Sequence, residues 1–419
     1  MSNFPQLGAM IDFTDGAIFV SSSLTLDSAT LGKLNTGQLS AATDNVDISD
    51  IITNTSIRRG RNRMLDAFEA GSATITMIDD NGDWNGSNVT SPYYGKLLPL
   101  RKIKIFADYA GIRYDLFAGF ITAFTTQFKL GSDGHSYVTL QCVDGFRLLS
   151  NIGVTSIAGT AAHELSGTRI STMLDDASWP SSLRVLDAGQ STMQADPATQ
   201  RTMLGAIQTV SDKSEFGAFF MDKPGNAHFI DRHTLATKLA QTPTFYDDTG
   251  SHISYQDVAF AHDDQFLVND VSVTRLGGSV QEVSDAESIN TYYRHSGIRT
   301  DVLVETDAEA LNMANMILAT RKDALNRIDS LTLNLFDSDN PTRIVAGLST
   351  EIFDVVNVSK TMPGGSNITK ELFVQGVQHD ITKRSFVTKV LTAEPILKGL
   401  ILNDAGLGAL DSSDALLSY

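Results

Sequence analysis

Cysteine is almost absent from this chain: Cys142 is the one thiol among 419 residues. No intrachain disulfide can form, so folding rests on core burial, and synthesis in a reducing cytosol fits. Histidine is sparse too. His135, His163, His228, His233, His252, His262, His295 and His379 stand singly, without the His-Glu-x-x-His or Cys-His spacings that hold zinc. His228 and His233, near Asp231, are the densest group, and their place at a strand end reads as hairpin surface. Long apolar runs are missing as well. No stretch approaches the roughly eighteen residues that a membrane-spanning helix needs, and residues 1–20 lack the basic and apolar regions of a signal peptide.

Basic residues are outnumbered, with 32 Lys+Arg against 49 Asp+Glu and a formal net charge of −17. Sequence-independent binding to duplex DNA needs clustered cations that displace counterions. The acidic balance argues against such binding and against adhesion to an anionic membrane. It allows a passage along which DNA slides without sticking. Catalytic signatures are missing in the same way: there is no Gly-x-Ser-x-Gly elbow, Walker A loop or dinucleotide fingerprint. Paired carboxylates of the glycosidase kind arise in any acidic chain of this size and point nowhere by themselves. Asp79-Asp80-Asn81-Gly82-Asp83 has the composition of a calcium loop. Counting from Asp79, however, Trp84 and Thr90 stand where an EF-hand needs its Gly and its bidentate Glu, so the segment reads as a turn. No catalytic residue, metal ligand or cofactor is expected.

What is present is ordinary globular composition, 42% hydrophobic and 19% charged, in a chain long enough for roughly two to four domains. Residues 1–50, rich in Ser, Thr, Asn, Asp and Gly and broken by short apolar pieces such as Ala17 to Val20, read as strands and turns or as an extended N-terminal arm. Period-two alternation marks strands at Ala73 to Ile78, Arg101 to Phe106, Tyr114 to Thr122 and Tyr137 to Val143, enough for a small barrel or sandwich over 51–155. A mixed α/β insert follows over 156–262. His163 to Ala177 shows a helical face. Asp196-Pro197 offers an N-cap and a first-position proline for a helix carrying Met203, Leu204, Ile207 and Val210. Phe216 to Met221, a Lys223-Pro224-Gly225-Asn226 turn and Ala227 to Ile230 read as a hairpin. Strands return over 263–398, at Val268 to Thr274, Ser330 to Phe336, Ile352 to Val358, Leu372 to Val377 and Val387 to Ala393. One helix interrupts them, with the capping-box spacing Thr306-x-x-Glu309. Residues 399–419 form a small-residue tail. The expected class is α+β and β-rich, in the order barrel, mixed insert, barrel, tail.

The one basic concentration is Arg58-Arg59-Gly60-Arg61-Asn62-Arg63. It can be read as a phosphate patch, but in so acidic a chain it reads better as a set of partners for carboxylates of this chain or a neighbour, which suit an arginine fork equally well.

Two stretches carry a family likeness. The first joins this arginine run to Leu65-Asp66-Ala67-Phe68-Glu69-Ala70-Gly71, Asn81-Gly82-Asp83, Ser91-Pro92-Tyr93-Tyr94-Gly95 and Leu98-Pro99-Leu100-Arg101. The second joins Val268 to Arg275, Asp285 to Ile289, the capped helix after Thr306, and Glu371 to His379. In this order they resemble the tail-tip or baseplate hub (minor tail) proteins of long-tailed siphophages, over roughly residues 50 to 395. The likeness departs at Leu100-Arg101, where the family has a proline-glycine turn, and in the first 50 residues.

The resemblance implies a structural virion protein of the viral tail, with two tube-type β-barrel domains flanking the insert. A homotrimer would then form a ring of six barrels. That ring would adapt the hexameric tail tube and distal tail ring to a threefold tip, contact the tape measure protein and tip or fibre proteins, and line a channel for DNA during host cell entry. An acidic lining would ease that passage. Interface candidates are Arg58, Arg59, Arg61, Arg63, Tyr93, Tyr94 and Arg275, the barrel edges and the tail after Leu400. The other readings are a hub with peptidoglycan-degrading activity, for which few residues follow the last expected strand; a host-receptor binder using loops 156–167 or 232–250; and the hexameric distal tail ring protein.

Overall fold

Alternation of apolar and polar residues puts every second side chain of a strand on one face. Ser72–Ile78 shows the outcome: Ala73, Ile75 and Met77 are buried, while Ser72 and Thr74 are exposed. The structure, a computed structural model, describes residues 4–14, 44–61, 68–128, 135–238, 244–247, 253–336 and 340–394, and the backbone of 398–399 and 415–416. In its first half lie β1 (Gln6–Asp12), β2 (Asn45–Asp47), β3 (Ile52–Gly60), β4 (Ser72–Ile78), β5 (Arg101–Tyr109), β6 (Ile112–Gln127) and β7 (Tyr137–Val143). The second half supplies β8 (Phe245–Tyr246), β9 (Ile253–Ser254), β10 (Asp257–Ala261), β11 (Asp270–Arg275), β12 (Val280–Ser284) and β13 (Ser296–Val302). It continues with β14 (Arg327–Asn334), β15 (Val355–Thr361), β16 (Asn367–Thr382) and β17 (Ser385–Ala393).

All of these except β11, β12 and β13 belong to one 14-stranded sheet, in the order β9-β8-β15-β16-β3-β4-β7-β6-β5-β1-β2, with β10-β14-β17 attached to the remaining edge of β16. The joint between the halves is β16. Its residues 367–373 pair with β15 and its residues 376–382 pair with β3, end to end along one edge, while β17 follows the other. The buried faces of both halves meet in one core, with Ile11, Ile75, Ile105 and Leu140 from the first half and Leu331, Val356, Val377 and Val390 from the second. Each fully buried side chain of this kind contributes about 1.5–3 kcal/mol relative to exposure. With 43% strand and 21% helix the class is α+β and β-rich.

A second core gathers α1 (Ser166–Asp176), α2 (Met203–Gln208) and the hairpin of Ala218–Met221 with Ala227–Ile230 around Phe146, Ile170, Phe219 and Phe229; Phe353 and Phe373 reach it from the second half. A third lies between the three-stranded sheet β12-β11-β13 and α3 (Asp307–Arg321), where Val271, Val273, Ala310 and Ala314 pack. Among the described residues no helix is long and apolar enough to cross a membrane.

Several local expectations are corrected. Of the two readings of 1–50, strands apply at β1 and β2, both members of the large sheet and not a separate arm; the piece Ala17 to Val20 lies outside the described residues. The helix expected to start at Asp196-Pro197 starts at Met203, capped by Thr202, because the Asp196 carboxylate is taken by Arg201. Residues 245–261, assigned to the insert, supply β8, β9 and β10 of the large sheet, whereas 270–302, assigned to the second barrel, form a sheet of their own. Among the described residues, 263–398 hold three helices, not one: Ala286–Tyr292 with Asp285 as its N-cap, α3, and Pro341–Ser349 with Asn340 as its N-cap and proline in its first turn. Those caps sit in polar runs whose apolar periodicity is too short to read as helix. At α3 the expected capping box is formed, with Glu309 N–H donating to Thr306 Oγ1 (3.2 Å) and Thr306 N–H to Glu309 Oε2 (2.9 Å). Thr306→Ala is expected to cost about 1 kcal/mol and Thr306→Ser far less, as read by chemical denaturation; equal midpoints for all three chains would show that the cap contributes nothing.

Candidate functional site

The arginine-glycine-arginine run is the C-terminal end of β3. Gly60 faces Gly376 across the ladder, and at φ +92° a Cβ on Gly60 would lie 2.3 Å from the carbonyl oxygen of Gln375. Glycine is required there by both conformation and space. The crowding comes from a bulge at Gln375, where the pairing of β16 with β17 shifts between Val374 and Gly376. The arginines on either side of Gly60 are buried, Arg59 at 3% exposure and Arg61 at 7%.

Their partners come from the rest of the chain. Arg59 forms an ion pair with Glu351 at 2.8 Å. Arg61 donates from Nε to Gln375 Oε1 (2.8 Å) and from its amide to Gln375 O (2.9 Å). Its guanidinium lies over Phe68 at 4.6 Å and Phe353 at 5.6 Å from the ring centres, a placement that suits a delocalised cation in apolar surroundings. Lys223, from the hairpin turn of the second core, donates from Nζ to Leu348 O (2.8 Å) and from its amide to Glu351 Oε2 (3.1 Å). Asp144, just after β7, accepts the amides of Gly71 (2.6 Å) and Phe146 (3.0 Å). One knot of charge therefore joins β3, the bulge of β16, the segment before β15 and the insert hairpin.

Burial and neighbouring charge compete in this knot. Burial pushes the Asp144 carboxyl up to about 7 against its two amide hydrogen bonds and the charge of Arg59. Burial likewise takes Asp212, near Arg61 and Arg299, up to about 6. Lys223 is brought down to about 8 by burial, with Glu351 pulling the other way. Burial alone would raise Glu351, but Arg59 and Lys223 outweigh it and hold the carboxyl below its ordinary value. His379, fully buried with Nδ1 2.9 Å from Thr388 Oγ1, is held well below its ordinary value by burial and then by Lys223 and Arg59.

The other interface candidates are scattered. Arg58 is partly exposed, 3.8 Å from Glu69. Arg63 lies outside the described residues, as does the tail after Leu400 apart from the backbone of 415–416. Tyr93 is half-buried against Trp84 and Phe13, at 4.6 and 5.6 Å between ring centres. Tyr94 is exposed, as are Val89 and Leu98 of the same loop. This loop is ordered by a run of three-residue turns, with amides of Gly82, Asn85, Asn88, Ser91 and Tyr94 each donating to the carbonyl three residues back. Its start is the Asp79 turn, where the carboxylate accepts the amides of Asp83 (2.8 Å) and Trp84 (3.1 Å). Arg275 donates from Nε to Asp307 Oδ1 (2.5 Å), in the first turn of α3. Near His228 and His233, Asp231 caps a short helix by accepting the amide of Thr234 (2.7 Å). Among the described residues no three His, Cys, Asp or Glu side chains gather as a metal-holding group.

Removing one partner of the buried pair, by Arg59→Leu or Glu351→Leu, is expected to cost about 3–5 kcal/mol, and the double variant less than the sum of the two. Additive losses in urea unfolding would show that the pair is not coupled. Asp144 carries a pH signature. Its ordinary value is 3.8 and its folded value about 7, so between them the folded chain holds the extra proton and stability falls as pH rises. Asp144→Asn removes that dependence, so relative to wild type the variant should gain stability as pH rises from about 4 to about 7. A stability difference that does not change with pH would refute the shift.

At the level of sequence no family model and no curated protein matches the chain. Its fold does match solved structures. A tail protein from Neisseria meningitidis aligns over 84% of this chain and 94% of its own, with a TM-score of 0.56 at 13% identity. The 43 kDa tail protein of prophage MuSo2 from Shewanella oneidensis aligns over 85% and 97%, with a TM-score of 0.53 at 13% identity. Because both alignments run through nearly the whole of the other protein and most of this one, the likeness is to a complete architecture: the chain has the fold of these phage tail proteins.

Proposed function

We propose that the chain is a structural subunit of a phage tail tip, a hub that forms a homotrimeric ring. In this reading each subunit gives two tube-like barrel units, one from each half of the 14-stranded sheet. Six such units stack on the hexameric tail tube or distal tail ring above and present threefold symmetry to the tip or fibre proteins below. The tape measure protein and the DNA occupy the channel. The observation that carries the reading is the whole-length fold match to two phage tail proteins. The long strand β16 supports it, because it ties the two halves into one sheet, as a ring of paired units requires. Symmetry matching needs repeated edges and charges, not a reaction centre, so the role proposed is not enzymatic.

Particle mass and copy number test this. Three copies per tail and a trimer in solution are expected; six copies would identify the chain with the distal tail ring instead. Purified chain incubated with peptidoglycan should release no soluble fragments, and released fragments would move the reading to a tail-tip enzyme.

A further inference from the structure

The loop between β4 and β5 holds two asparagine-glycine pairs, Asn81-Gly82 and Asn85-Gly86. Such a pair carries its own reaction. The backbone nitrogen of the glycine, once it has lost its proton, can attack the asparagine Cγ, and glycine suits the step because no Cβ crowds that nitrogen. The sequence alone does not separate the two pairs, but the fold does. At Asn81-Gly82 the nucleophile is occupied. The Gly82 amide donates to Asp79 O (3.3 Å), while the Gly82 carbonyl accepts the Asn85 amide (3.3 Å) and Asn88 Nδ2 (2.9 Å). With φ at +71°, Gly82 is fixed in its turn, and the Asp79 carboxylate ties down the amides of Asp83 and Trp84 that follow. A nitrogen whose proton is already shared with a carbonyl is slow to give it up.

At Asn85-Gly86 the requirements of the reaction are met together. Gly86 is exposed, its amide has no hydrogen-bond partner among the described residues, and a Cβ placed on it would meet no atom within 4 Å. The Asn85 side chain is curled back over the main chain. Its Oδ1 accepts the Ser87 amide (3.1 Å), closing a ring that contains both Asn85 Cγ and the Gly86 nitrogen. The same hydrogen bond draws electrons away from Cγ and is placed to hold the negative oxygen that forms there under attack, as a single-donor oxyanion hole. The turn is kept in this shape from both sides, by the buried Trp84 before it and by the Asn88 amide, which donates to Asn85 O (2.9 Å).

We propose that Asn85 is a self-modifying site, at which the chain converts its own side-chain amide into a carboxylate. The Gly86 amide proton passes to a solvent base, and the Gly86 nitrogen bonds to Asn85 Cγ. The Cγ–Nδ2 bond then breaks, and Nδ2 leaves as ammonia with a proton taken back from solvent. A five-membered succinimide remains, which water opens. Attack at Cγ restores the peptide bond and leaves aspartate. Attack at the main-chain carbonyl leaves the chain running through Cγ, an isoaspartate whose former backbone carbonyl is now a free carboxylate. One ammonia leaves, one water enters, and nothing is oxidised or reduced. Both products add a negative charge to the loop. The isoaspartate also removes the carbonyl that accepts the Asn88 amide, the middle link in the run of turns from Gly82 to Tyr94. The exposed Tyr94 is therefore the side chain whose placement the reaction alters.

The test compares the full chain folded in neutral buffer with the same chain unfolded in urea, both sampled over time. Peptide mapping by mass spectrometry locates the amide-to-acid mass change, and an isoaspartate-specific methyltransferase counts the rearranged product. In urea the two pairs should react alike. In the folded chain Asn85 should lead Asn81 by about fivefold, roughly the factor by which one hydrogen bond protects a backbone amide. Gly86→Ala should slow the reaction at Asn85 about tenfold, because the added Cβ crowds the attacking nitrogen, with circular dichroism showing that the variant is folded. A folded chain that reacts equally at both pairs, or first at Asn81, overturns the proposal. So does one that keeps Asn85 intact while the unfolded chain converts, or a folded Gly86→Ala chain that converts at the original rate.

Discussion

A guanidinium taken out of water cannot shed its proton, so it must be met by a carboxylate or left at a cost of several kcal/mol. Arg59 is in that position, and much of the architecture follows from meeting it. Glu351 has to stand where it does, which fixes the segment leading into β15. That carboxylate also accepts the amide of Lys223, whose ammonium turns to the carbonyl of Leu348, and so the insert hairpin is placed against the large sheet. Arg61, on the other side of Gly60, closes the knot through Gln375 and two aromatic rings. Apolar packing gives most of the stability of such a fold; the charges decide which pieces meet and in what register.

This explains how a fold can persist at 13% identity. Alternating strands and an apolar core accept many substitutions of similar volume. The backbone constraints are narrower: a bulge on β16, and a glycine where two backbones touch.

The strands were the most readable part of the sequence, because period two is a strong local signal: β4, β5, β7 and β17 lie close to where alternation puts them. The capping box at Thr306 was equally plain. What stayed hidden was long range. Arg59 and Arg61 stood out as a basic run, and an isolated run reads as surface; their burial depends on Glu351 and Gln375, nearly three hundred residues away or more. Lys223 sits in a turn sequence that normally faces solvent, and Asp144 gives no sign of its two amide donors. One clue was available: a glycine inside a strand, as in Val374-Gln375-Gly376-Val377, marks a bulge or a close backbone approach. The allocation of strands to sheets was also beyond local patterns, since β11 to β13 alternate as well as their neighbours yet pair only among themselves.

The end-to-end seating of β15 and β3 along β16 has a mechanical meaning. A joint made by a flexible linker bends at small force. Here the two halves are joined by a hydrogen-bonded ladder, so a pull along the strand direction loads the β3 rungs together in shear, whereas a sideways peel would have to break them one at a time starting from an end. At one end of that ladder the buried knot of Arg59, Glu351 and Lys223 acts as a rivet against peeling. A ladder of this kind transmits load between the halves across the seam, where a linker would let them hinge.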